Sequence, residues 1–157
     1  MKRIFRVAPR NHAEFDGIGA VLHPGRWNHV NVRIVYCSES LAVAMLETLA
    51  NSGELPENRV WTEVVIPDDV PVEKVRSLPS DWDSEKPGNA SKDIGTEWAA
   101  SLRTAVLRVP CAIAPNAFNF LVNPVHPDAS RIIVNSPQPL TFDTRLKKRP
   151  DTHSRAS

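Results

Sequence analysis

The sequence predicts one compact α+β domain of short mixed or antiparallel strands with a few helices, spanning residues 1–146, followed by a basic tail at 147–157. Three observations lead there. Fourteen prolines interrupt the chain, among them Pro67, Pro71, Pro79, Pro87, Pro110, Pro115, Pro124, Pro127, Pro137 and Pro139. Because proline lacks a ladder donor and breaks helices, the elements between them must be short, and a helical bundle is excluded. Two helical segments fall irregularly among β-rich runs, which argues against a regular βαβ winding. A chain of 157 residues also has the size of a single domain, enough to bury about two thirds of its unfolded surface without disulfides or metals.

Taken in order, residues 4–7 read as a first strand with Arg6 between Phe5 and Val7. A long loop follows over 9–31, in which Gly17, Gly19 and Gly25 mark places where backbone must turn or come close to something. The β-branched run 32–37 is the next strand. Ser40 is placed to cap a helix from Leu41 to about Asn51, with Gly53 as its stop. Residues 60–66 form a further strand ended by the turn PDDVP, and 76–96 form a loop region with two tight turns. A second helix is predicted over 93–102, with Trp98 on its buried face. Residues 104–109 read as a strand broken at Pro110 and resumed after a bulge at 111–114. The runs 119–122, 131–134 and 140–142 are the last strands, and the tail is predicted to be disordered.

Composition excludes several classes. Net charge is +1, so no global field draws the chain to nucleic acid or to an anionic membrane. Basic residues crowd only at Lys147, Lys148, Arg149 and Arg155, so contact with nucleic acid there is expected to be weak, salt-dependent and without sequence specificity. Two cysteines, Cys37 and Cys111, lie outside any CxxC pair, which suits a reduced cytosol. The opening MKRIFRVAPR has no signal-peptide core and no run reaches the ~18 apolar residues of a membrane span. The expectation is a soluble cytoplasmic protein. His12, His23, His29, His126 and His153 show no metal-ligand spacing, and no dinucleotide fingerprint, phosphate loop or nucleophile elbow is present.

Four residues are costly enough to ask for a partner. Glu47 is the one charge in LAVAMLETLA, a helix apolar at every phase and therefore expected to be buried. Either it meets a ligand, or Glu47 and Thr48 form a narrow solvent stripe. Arg26, in a Gly-led turn before Trp27, either offers its fork to phosphate or carboxylate or stacks on that tryptophan. Tyr36 ends the strand leading to the Glu47 helix; its ring either stacks on a planar ligand or finds partners within the protein. Arg6 interrupts an apolar strand, and alternation alone points it outward.

In series, FRV at 5–7, GRWN at 25–28, VRIVYCSES at 32–40, MLETL at 45–49 and VLRVPCAIAPNAFNFLVNPVHPD at 106–128 resemble the RES domain family, over nearly the whole chain. The family is named for an arginine, a glutamate and a serine. The resemblance implies a fold like that of ADP-ribosyltransferases, with NAD as substrate and no other cofactor or metal. It further implies a bacterial toxin partnered by an Xre-like antitoxin, as a homodimer. Such toxins deplete NAD by cleaving the nicotinamide–ribose bond with water or phosphate, and some relatives modify a protein instead. Carried over by motif, Arg26, Tyr36, Glu47 and Cys111 are the catalytic residues, with Arg26, Tyr36, Arg6 and Asn119 holding the nucleotide. Cys111 stands where the family's VPSA segment has serine, which leaves open a non-catalytic module that binds NAD or antitoxin. The NPVHP run at 123–127 is read as a structural turn, with His126 satisfying backbone groups.

Overall fold

The computed structural model describes residues 1–146; the predicted tail, 147–157, lies outside the described residues. Eight strands form one mixed sheet: β1 (Lys2–Pro9), β2 (Val35–Ser38), β3 (Arg59–Ile66), β4 (Val72–Lys74), β5 (Val106–Pro110), β6 (Phe118–Val122), β7 (Ile133–Val134) and β8 (Gln138–Leu140). Their order is β4-β5-β6-β2-β1-β3-β7, with β8 also on β3. All pairs are antiparallel except β4 with β5. Helices α1 (Ile18–Leu22), α2 (Leu41–Ala50) and α3 (Asn89–Ser101) complete the domain, which is the α+β architecture the sequence predicts.

Register decides which side chains share a face. Ser38 stands opposite both Phe5 and Asn119, Asn119 also opposite Val109, and Tyr36 opposite Leu121. Directly opposed residues point the same way and successive residues along a strand point oppositely, so Phe5, Tyr36, Ser38, Asn119, Leu121 and Val109 lie on one face. Ile4, Arg6, Cys37 and Phe120 lie on the other. Each face has its own core: Ile4, Val35, Cys37, Val64, Val106 and Phe120 on one side, and Trp27, Ile34, Trp98, Leu107 and Leu121 on the other.

Ser40 caps α2 as the sequence suggests, its hydroxyl accepting from Val43 N at 3.1 Å. The helix packs on β1 and β2. It is not buried all round, however, because only Val43 and Ala44 are enclosed while Leu46 is 43% exposed. Its apolar phases reflect the small alanines on its outer side rather than burial. Trp98 lies on the buried face of α3, with its indole N–H donating to Thr104 Oγ1 at 3.0 Å.

Several boundaries differ for local reasons. Residues 111–114 do not resume a strand: Cys111 N donates to Ala117 O and Ala117 N to Ala114 O, closing the β5–β6 turn, with Asn116 at φ 60°. Helix α3 starts at Asn89 rather than 93, because Ser91 Oγ donates back to Gly88 O within a first turn that has no apolar periodicity. Helix α1 falls within the long 9–31 loop, and β4 was not anticipated. That three-residue edge strand is held from the side by Arg103, which pairs with both Glu73 on β4 and Glu97 on α3. Residues 127–131 form a 3-10 turn and leave β7 only two residues long. The NPVHP run is structural, with Asn123 Nδ2 on Ala99 O, and His126 accepting from Asp128 N and contacting Leu102 O.

Gly95 sets how closely α3 meets the turn at 25–28. A Cβ there would stand 1.9 Å from Trp27 O, a distance that backbone cannot relieve without moving the helix. Gly95→Ala should therefore destabilise the domain by about 3 kcal/mol, measured by urea unfolding. A variant as stable as the parent would show that α3 does not press on this turn.

Candidate active site

Two polar clusters meet on the face that carries Tyr36 and Ser38. The first surrounds Asn28, which is fully buried. Its Oδ1 accepts from the Tyr36 hydroxyl at 2.5 Å and from Gly25 N at 2.9 Å, while its Nδ2 donates to Ala20 O and His29 O. The Tyr36 hydroxyl in turn accepts from Trp27 N at 3.2 Å. One amide thus ties the turn, α1 and the β2 tyrosine together, and every polar atom involved has a partner.

Gly25 is required by the same contact, since a Cβ there would lie 2.7 Å from Tyr36 Cζ. Burial pushes the Tyr36 hydroxyl well above its ordinary range, offset in part by the bond from Trp27 and the charge of Arg26. The phenol is therefore neutral, a donor rather than a base. Tyr36 finds its hydrogen bonds within the protein, the second of the two readings its sequence context allows.

Arg26 does not stack on Trp27. Trp27 is buried, lies against Trp82 with ring centroids 6.4 Å apart, and is pinned from the far side by α3 through His29 N to Thr96 Oγ1 and His29 to Asp93. Arg26 Nη1 donates to Trp82 O at 2.8 Å and Ser84 O at 2.7 Å. Among the described residues its Nε and Nη2 have no protein partner, so part of the fork is open to an acceptor.

The second cluster holds Glu47. Its Oε1 accepts from Asn119 Nδ2 at 2.8 Å and from the Cys111 thiol at 3.1 Å. Asn119 Oδ1 accepts from Ser38 Oγ at 2.7 Å. Glu47 is half-buried, and among the described residues it has no cation within salt-bridge distance. Its Oε2 has no protein partner there. Burial raises the Cys111 thiol above its usual range, and the bond to Glu47 raises it further. In this arrangement the thiol stands as a hydrogen-bond donor to the carboxylate.

Tyr36 and Ser38 are two residues apart on β2, about 7 Å along the strand, so the clusters adjoin across one sheet face. Arg6 does not join them. It lies on the opposite face, and its guanidinium donates to Ala13 O, Glu14 O and His12 O at 3.0–3.3 Å. Burial lowers its pKa, opposed by Cys37, Asp16 and Glu14. There it ties down the start of the 9–31 loop, beside Cys37, whose thiol burial pushes up to about 12.

Asn28 and Ser38 were not singled out from sequence as site residues. An asparagine two positions after the arginine is a common turn residue, and Ser38 falls just past the strand expected over 32–37. Only the register and the fold's burial reveal them. A cavity of about 440 Å3 lies elsewhere, lined by Arg76, Ile94, Trp98 and Arg103 among others; it shares no residue with either cluster. Among the described residues no group of His, Cys, Asp and Glu side chains is placed to hold a metal, and no helix is long and apolar enough to cross a membrane.

The comparison with known proteins agrees over nearly the whole domain. Residues 3–143 match the RES domain. A protein of Sphingobium sp. (strain YBL2) named Prs ADP-ribosylating toxin is 43% identical over 139 residues, covering 85% of this chain and 86% of that relative. A protein of Yersinia enterocolitica named Toxin Res is 32% identical over 151 residues, covering 92% of this chain and 99% of the relative. Among solved structures, a chain of the M. tuberculosis MbcT-MbcA toxin-antitoxin complex superposes with a TM-score of 0.67 at 15% identity, covering 89% of this chain and 84% of that one. At that identity the likeness is one of fold. The extent of the sequence match, and relatives that align almost end to end, place the chain in the RES domain family.

Proposed function

We propose that the chain is the toxin of a toxin–antitoxin pair and that it cleaves NAD at the nicotinamide–ribose bond. An Xre-like antitoxin is its partner and a homodimer its assembly. The observation that carries the reading is Glu47: a half-buried carboxylate with one oxygen fixed by two uncharged donors and the other without a protein partner. A structural carboxylate in that position would be expected to pair with a cation. This one is held in aim.

The chemistry follows from where charge develops. Nicotinamide leaves with the electron pair of the N–C1′ bond and departs neutral, so no general acid is needed. Positive charge gathers on the ribose as an oxocarbenium-like cation, by analogy with glycoside cleavage. Glu47 Oε2 accepts from the ribose hydroxyls and stabilises that cation, a preorganised electrostatic effect. Arg26 grips the diphosphate with the part of its fork that the 82–84 backbone does not occupy. Tyr36, rigidly held by Asn28, supports the ring beside them. Water or phosphate then bonds to C1′, and the acceptor's proton is lost to solvent. Arg6 has no part in this scheme, because it faces the other way.

One observation favours a second reading. The 43% identical relative is named for ADP-ribosylating Prs, so a protein side chain is an alternative acceptor on the same open face of the sugar. The non-catalytic reading is weakened by Cys111. The thiol occupies a donor position on Glu47, so the cysteine keeps a hydrogen bond a serine would make, though a weaker one. Incubating the purified protein with NAD, with and without phosphate and with and without a Prs protein, and weighing the products distinguishes these outcomes. NAD that stays intact under all conditions would contradict the proposal.

Glu47→Gln keeps the shape and removes the charge. It should lower kcat by about 10²–10³ while leaving KM within about threefold, measured by nicotinamide release. Wild-type turnover in this variant would sink the assignment. Cys111→Ser restores a stronger donor to the same oxygen and should hold kcat level or raise it about threefold. A large drop would show that the thiol does something other than donate to Glu47.

A further inference from the structure

The two serines of the segment SES, 38–40, do different work. Ser40 caps α2 through Val43 N. Ser38 is 4% exposed and its hydroxyl donates across the sheet to Asn119 Oδ1 at 2.7 Å. Asn119 then donates from its other end, Nδ2, to Glu47 Oε1 at 2.8 Å. A planar amide has an acceptor end and a donor end, and either can face the carboxylate unless something distinguishes them. Reversed, Asn119 would set its own oxygen against that of Glu47, two acceptors face to face.

Resting on the reading of the site given above, we propose that Ser38 is a positioning residue for Glu47, acting through Asn119. The serine hydroxyl holds the amide's acceptor end, so the donor end stays on Oε1. With Oε1 anchored there and by Cys111, Oε2 keeps a fixed direction toward the sugar. Asn119 accordingly orients the carboxylate instead of contacting the nucleotide itself. The enclosure of Ser38 matters, because water has little room to replace its hydroxyl if the side chain is truncated.

The test is a double-mutant cycle in the full chain, read as nicotinamide release, with melting temperatures taken alongside. Ser38→Ala should lower kcat about tenfold with KM within about twofold, the loss expected when one partner of a buried hydrogen bond is removed. Asn119→Ala should lose at least as much. If Ser38 acts through Asn119, the double variant should be no slower than Asn119→Ala by more than about twofold. Ser38→Thr, which keeps the hydroxyl in a residue suited to strands, should retain kcat within about threefold of the parent. Wild-type kcat in Ser38→Ala, or losses that multiply in the double variant, would overturn the inference. So would a Ser38→Ala chain that no longer melts cooperatively, since the hydroxyl would then belong to stability. A parent protein that releases no nicotinamide would overturn the reading of the site itself, a failure distinct from the others.

Discussion

A carboxylate held by two neutral donors at a single oxygen is the interaction on which the rest of the site depends. Asn119 and Cys111 both reach Glu47 Oε1, and neither carries charge. They lower the cost of partly burying the carboxylate without neutralising it, which a lysine or arginine in their place would do. The negative potential is therefore still available at Oε2. The other polar groups of the site either fix that carboxylate, as Ser38 does through Asn119, or belong to the Tyr36 cluster on the same sheet face.

The sheet does the joining. Antiparallel pairing sets Ser38 beside Asn119 and Tyr36 beside Leu121, so β2 carries the edge of each polar cluster on one face. A slip of one residue in that register would turn both side chains to the opposite face. The arginine turn reaches the same place from another direction. It is clamped between α3, which needs Gly95 to come close, and Tyr36, which needs Gly25 beneath its ring. Neither glycine relaxes a turn so much as it removes a side chain from a contact.

Much of the fold could be read along the chain, because β1, β2, α2, β3, β5 and β6 announce themselves by β-branched runs or by the Ser40 cap. The elements that could not be read are those whose stability is not local. Strand β4 is three residues paired on one side and secured by Arg103, and the first turn of α3 has no apolar stripe to mark it. At the site, the arginine, tyrosine and glutamate were found as residues out of keeping with their neighbours. Arg6 had the same signature for a different reason: it binds three carbonyls of its own loop. Sequence cannot separate a cation that awaits a ligand from one that staples backbone. Asn28 and Ser38 went unnoticed for the converse reason, being small polar residues in ordinary settings whose roles arise from partners that only the folded turn or the sheet pairing brings to them.

In the proposed complex, Glu47 Oε2 and the part of the Arg26 fork not bound to the 82–84 backbone hold one dinucleotide between them. The most direct test is a crystal structure with an NAD analogue whose nicotinamide–ribose bond cannot be cleaved. The predicted result has Glu47 Oε2 within hydrogen-bonding distance of the nicotinamide ribose hydroxyls, Oε1 still on Asn119 and Cys111, and Arg26 on the diphosphate. An analogue bound elsewhere, such as in the cavity beside Arg103, with Glu47 facing only solvent, would contradict it.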